Sequence, residues 1–240
     1  MPTATTTTTA PSSVLTLKAS PAPHASSSSS TAATLRSLYP RAARAFLQRD
    51  VPLTHSLLSS AFSILSSPAS VVSVNDVLAS QRRKWDILRV TFETTLYSSP
   101  PAAQHPESLP SALRANLILS AESFITALHN RSLLLFTPAD SPQKPSSAFL
   151  PSQILITLVL ASLKLDCIDI GRSVIEDWLA KHGQEDVPDD PKGYAKVLEL
   201  YCLHVLPRLQ DWDYAEDFLA YERELSPDVR QNNASRDLIM

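Results

Sequence analysis

The chain has 240 residues, a formal net charge of -3 and 44% hydrophobic residues, with only 3 glycines beside 19 prolines. Glycine so far below the usual ~7% excludes glycine-rich phosphate cradles and disfavours sheets, whose tight turns lean on it. Two cysteines, Cys167 and Cys202, exclude a disulfide framework, and no Cys-x-x-Cys is present to make a thiolate zinc or redox motif.

Residues 1–32 are mostly Ser, Thr, Ala and Pro, with homopolymer runs at 5–9 and 26–30. Such a composition buries too little apolar surface to offset chain entropy, so a disordered tail is expected. A Ser-rich start without acids before Asp50 also has the flavour of a mitochondrial transit peptide, but residues 1–30 hold one basic residue only.

A single helical domain is expected over 33–230, with mobile Pro-rich loops near 98–110 and 137–150 and a frayed end at 231–240. Pro40 suits a first helical turn. Arg49-Asp50-Val51-Pro52 breaks that helix, and Leu53, Leu57, Leu58, Ala61, Phe62 and Leu65 share one face of the next. Ser73 or Asn75 can cap a helix from Asp76 to about Tyr97, with Val77, Leu78, Trp85, Leu88, Phe92 and Leu96 on one side. Gln81-Arg82-Arg83-Lys84 is expected on its solvated face, being too short for a nucleic-acid patch. Ser111 or Ser108 caps one further helix, which runs through Leu113, Leu117, Ile118, Ala121, Ile125 and Leu128.

Ile154–Leu163 is apolar all round, half the ~20 residues a membrane span needs, and reads as the central buried helix. A helix over Asp169–His182 turns Ile170, Val174, Trp178 and Leu179 inward and Arg172, Glu176 and Lys181 outward, with Gly183 as its stop. Asp190-Pro191 opens the next, which buries Tyr194, Val197, Leu198, Tyr201, Leu203 and Val205 until Pro207 ends it. Asp211–Glu224 is the last strong helix, and Ser226-Pro227 starts a short tail helix. The corner Gln210-Asp211-Trp212-Asp213-Tyr214-Ala215 places a small residue four positions after an acid, as Thr54 follows Asp50; after Asp166 the small residue, Gly171, falls one place late. Small residues there let antiparallel helices approach closely, as in tetratricopeptide-like hairpins.

The fold class expected is therefore all-α: an antiparallel, tetratricopeptide-like or solenoid-like array of eight or nine helices. Catalytic chemistry finds no foothold. His55, His129 and His204 lack partners at ligand spacing, Cys202 and His204 face different sides of a helix, and the adjacent pairs Glu176-Asp177 and Glu216-Asp217 diverge by about 100°. No catalytic residue, metal or cofactor is expected. Charge is split along the chain: residues 1–165 hold 13 Lys/Arg against 7 Asp/Glu, and residues 166–240 hold 8 against 17. The acidic end repels nucleic acid and suits a basic protein groove, with Glu216, Asp217 and Glu224 as candidate contact residues.

Three stretches carry a family resemblance: Ala43–Asp50 with the Leu57–Phe62 helix; Val174-Ile175-Glu176-Asp177-Trp178-Leu179; and Tyr194–Tyr201 through Val205–Leu209 to Ala215–Leu219. In this order they resemble the peroxin twenty-six family, tail-anchored peroxisomal receptors for the paired AAA-type ATPases of matrix-protein import. The resemblance implies a non-catalytic adaptor that docks the N-terminal domain of such an ATPase at the cytosolic face of the peroxisome. It departs from the family at the C-terminus, where no apolar 20-mer precedes Met240, so direct anchoring is not expected from these residues. The alternative expectation is a soluble tetratricopeptide-like scaffold or co-chaperone unrelated to peroxisomes, cytoplasmic or mitochondrial.

Overall fold

The computed structural model describes residues 24–66, 78–100, 109–138, 141, 145–182 and 190–221. Among these the chain is all-helical, with nine α-helices and no strand: α1 His24–Leu47, α2 Val51–Leu65, α3 Ala79–Ser98, α4 Ser111–Leu117, α5 Ala121–Phe136, α6 Ser152–Lys164, α7 Ile168–Lys181, α8 Pro191–Leu200 and α9 Trp212–Tyr221. The caps proposed at Ser73, Asn75 and Ser108, the stop at Gly183 and the tail helix at Ser226 lie outside the described residues.

The first helix begins at His24, inside the stretch 1–32 expected to lack structure, and Pro40 lies in its interior rather than its first turn. Ala32, Leu35, Ala42 and Ala45 line one side of this helix and are buried. Pro40 cannot bond the carbonyl of Arg36, but both residues are exposed, so water can serve that carbonyl.

Two apolar cores are built along the array. The first gathers Leu35, Leu57, Leu58, Leu65, Trp85, Leu88, Phe92, Leu96 and Leu113 from α1 to α4. The second gathers Val90, Phe124, Ile125, Leu128, Ile154, Leu155, Leu158, Ile175, Trp178, Val197, Leu198 and Tyr201 from α3 and from α5 onward. Each large side chain so buried contributes roughly 1.5–3 kcal/mol. Helix α3 serves both cores from opposite faces. Central α6 packs against α3, α5, α7 and α8, as its all-apolar sequence predicts, with only Leu160 among its aliphatics left largely in solvent.

Three corners repeat one geometry. Arg49, Asp166 and Gln210 take left-handed backbone conformations at φ 59°, 58° and 61°. In each case the following N–H reaches back five residues: Asp50 to Ala45 at 3.0 Å, Cys167 to Ser162 at 2.8 Å and Asp211 to Leu206 at 3.1 Å. This Schellman closure satisfies a carbonyl left open at the end of the helical turn and reverses the chain. Four residues after each closing position comes a small or short buried side chain: Thr54, Gly171 and Ala215. The apparent slip at Gly171 vanishes, because the closing residue is Cys167, and Asp166 occupies the left-handed position before it.

The single helix expected over 111–128 is instead two. Ser120 accepts the Ser123 N–H through its side chain and opens α5, while Ile118 stands 86% exposed at the break. The loop expected to be mobile over 137–150 is, at its described end, a tight turn over Ser147–Phe149 anchored to α7 through Ser147 and Asp177. After α8, residues Tyr201–Val205 widen into a π turn closed by the Leu206 N–H on the Tyr201 carbonyl at 3.0 Å. Pro207, which has no N–H for the next carbonyl, ends the helix as expected.

Candidate protein-binding surface

Helix α9 is held from below and open above. Ala215 and Leu219 are buried against the second core, and Phe218 meets Tyr201 edge-on at 5.5 Å between ring centroids. Arg172 ties the base of α9 to α7: its guanidinium pairs with Glu176 at 2.8 Å and Asp211 at 2.9 Å, and sits 5.3 Å from the Tyr214 ring centroid. Tyr201 donates its hydroxyl to Glu176 at 2.7 Å. Burial works to raise the Glu176 carboxyl, but the Tyr201 hydroxyl and Arg172 outweigh it and hold it below the usual range. Burial and that same hydrogen bond push the Tyr201 phenol up. Arg172 and Glu176, expected outward, are thus half-buried connectors, while half-buried Lys181 pairs with Asp177 of its own helix at 2.8 Å.

The outer side of α9 presents Trp212, Asp213, Glu216, Asp217 and Ala220, all exposed, with Trp212 at 39%. At 100° per residue these occupy one arc, opposite Ala215, Phe218 and Leu219. Two of the three candidate contact residues, Glu216 and Asp217, therefore share this open face. The third, Glu224, lies outside the described residues.

A second concentration of charge is one the sequence reading misplaced. Gln81 and Arg82, expected on a solvated face, are buried, and so are Asp86 and Glu93. Arg82, Asp86, Arg89 and Glu93 recur at intervals of four, three and four, a stripe between the two apolar faces of α3. Asp86 pairs with Arg89 and accepts the Ser132 hydroxyl of α5 at 2.8 Å. Glu93 takes Arg131 of α5 in a fork at 3.1 and 2.6 Å, and Asn116 of α4 at 2.7 Å. Arg89 also lies over the Phe62 ring of α2, 4.6 Å from its centroid. Burial raises the Asp86 carboxyl, with Arg89 and Ser132 opposing, and lowers the Arg89 guanidinium. The stripe welds α2, α4 and α5 onto α3. The only hint in the sequence was charge of both signs at helical spacing beside the apolar positions of the helix.

Among the described residues no group of three His, Cys, Asp or Glu could hold a metal ion. Cys202 is buried while His204 is exposed, as their two-residue spacing demands. Glu176 and Asp177 do diverge, the one toward Tyr201 and the other toward Ser147 and Lys181. No described helix is long and apolar enough to cross a membrane. No protein-family model, curated protein or solved structure matches the chain.

Proposed function

We propose that this protein is a non-catalytic helical adaptor that docks a basic protein surface on the outer face of α9. The supporting observation is the single-sign arc Asp213, Glu216 and Asp217 beside exposed Trp212, on a helix fixed from beneath by Ala215, Leu219 and the Arg172 clamp. An acidic rim steers a basic partner and sets its register, and an aromatic anchor in the same patch supplies contact area. In line with the peroxin twenty-six resemblance, the partner we infer is the N-terminal domain of an AAA-type ATPase of matrix-protein import, with the chain working at the cytosolic face of the peroxisome.

Recovery of that ATPase domain on immobilised full chain tests the reading. Reversal of Glu216 and Asp217 to Lys should cut recovery about tenfold and remove its salt dependence, as for rim charges that govern encounter. Adding Glu224→Lys should deepen the loss. Equal recovery before and after reversal removes the acidic face. A tagged chain that never coincides with a peroxisomal marker assigns the protein to the scaffold or co-chaperone class instead.

A further inference from the structure

We propose that α1 and α9 are the two halves of a self-association contact, the arginine face of α1 in one copy receiving the acidic, tryptophan-headed face of α9 in another. The contact shares α9 with the docking surface above, but the observation that carries it is α1. Residues 24–47 contain no Asp or Glu, and Arg36, Arg41 and Arg44 are exposed and unpaired with any described carboxylate, as is Arg49 at the corner. On a helical projection Arg36, Pro40, Arg44, Ser37 and Arg41 fill one arc. Leu47, 79% exposed, lies within that arc, while Leu35, Ala42 and Ala45 occupy the opposite, buried side. An unopposed basic face of this length calls for an acidic occupant.

The chain supplies one. Described α9 is acidic without a single Lys or Arg. At ~1.5 Å per residue, Arg36 to Arg44 spans about 12 Å and Asp213 to Asp217 about 6 Å, so the acids fit inside the reach of the arginines. Trp212 offers a ring face to a guanidinium, the cation such rings receive most often. Among the described residues neither face is covered within one chain: α1 packs on α2 and α3 in the first core, while α9 closes the second. A second copy can satisfy both faces at once. The contact joins unlike surfaces, so each junction leaves one free α1 and one free α9, and assembly grows with concentration. Two single-helix faces bury less than the ~1,200 Å² of a stable complex, which makes the association transient. Charges facing across solvent are screened beyond about 10 Å at 0.1 M salt, which makes it salt-sensitive. A copy seated on α9 also covers the adaptor face, so self-association competes with partner docking.

Sedimentation velocity of the full chain is the test. The sedimentation coefficient should climb with protein concentration at an ionic strength of about 0.02 M and return to the monomer value at about 0.5 M, where the screening length falls to a few ångströms. Two triple variants separate the halves: R36E/R41E/R44E and D213K/E216K/D217K. Every substituted side chain is exposed, so circular dichroism should match the parent. Each variant alone should be monomeric, and an equimolar mixture should associate again because opposite faces are restored. A monomeric parent at low salt overturns the proposal, as does association that survives reversal of α1, or a mixture that stays monomeric. Flotation with phosphatidylserine vesicles that R36E/R41E/R44E abolishes, in a chain that never self-associates, would assign α1 to an anionic lipid surface and overturn it equally. The α1 variant keeps its α9 face, so ATPase-domain recovery on it reports adaptor docking independently of self-association.

Discussion

The backbone of Gly171 lies against Ser162: a β-carbon on Gly171 would sit 2.4 Å from the Ser162 Oγ, whose hydroxyl donates to the Val159 carbonyl at 2.8 Å. Helices α6 and α7 are thus drawn together at a point where only hydrogen fits. Gly171→Val should destabilise the fold by about 2–3 kcal/mol, in the range of overpacked cores. Gly171→Ala should cost about 1 kcal/mol, since clash and loss of the Ser162 hydrogen bond exceed the helix-propensity gain. Adding Ser162→Ala should recover most of that loss. Urea denaturation of the single and double variants checks the coupling.

Asp86 and Arg89 form a pair whose partners are almost withdrawn from water, with side-chain exposures of 0% and 11%. Asp86→Ala leaves the guanidinium without its counter-charge and should destabilise by about 3–5 kcal/mol. Glu93→Gln loosens a pair whose Arg131 is 37% exposed and can turn to water, so it should cost only about 1 kcal/mol. Equal losses at the two positions would contradict the buried-stripe account.

The three left-handed corner residues are not glycines, and each pays conformational strain of about 1 kcal/mol. Arg49→Gly and Gln210→Gly should therefore raise stability by about 0.5 kcal/mol each, the relief of strain exceeding the added freedom of the unfolded chain. The gains should add, because the two exposed corners flank different cores and share no partner. Thermal unfolding of the single and double variants measures this.

His129 carries a buried Nε2 without a hydrogen-bond partner among the described residues. Burial lowers its proton affinity, Asp177 opposes that and Lys181 reinforces it. The unfolded chain then binds a proton near pH 6.5 that the folded protein accepts only at lower pH, so stability should decline as pH falls through that window. His55, lowered by burial against the pull of Glu93, acts in the same direction. His129→Leu should remove its share of the slope between about pH 6.5 and 5, read as the change in melting temperature across a pH series.

The corner repeat shows how far residue spacing reaches. Spacing alone located Thr54 and Ala215 as close-approach positions and placed Gly171 one step out of register. The register depends on which residue takes the left-handed turn, and Asp166 does so without the glycine that would announce it. Ser120 is a similar case: its capping role splits α4 from α5, yet the apolar series through Leu117, Ile118 and Ala121 runs across it unbroken. Ile118 is hydrophobic and exposed, so periodicity mistook it for core.

The acidic face was legible because charge sign and helical spacing are local properties. That Glu216 and Asp217 stand on one open arc follows from the packing of Ala215, Leu219 and partly buried Phe218 below them, which the pattern already implied. The buried stripe on α3 was not legible. Arg82, Asp86, Arg89 and Glu93 look like any solvated helix face until α4 and α5 arrive with Asn116, Arg131 and Ser132.

Composition and periodicity by themselves determined that this chain folds into helices, roughly where they lie, and that its two ends carry opposite charge. Those properties depend on near neighbours along the chain. Which charges are buried and where the corners turn emerged only in the tertiary structure. Desolvation of a carboxylate depends on groups tens of residues away, brought alongside by the fold, and a left-handed corner built without glycine leaves no mark in the residue types around it.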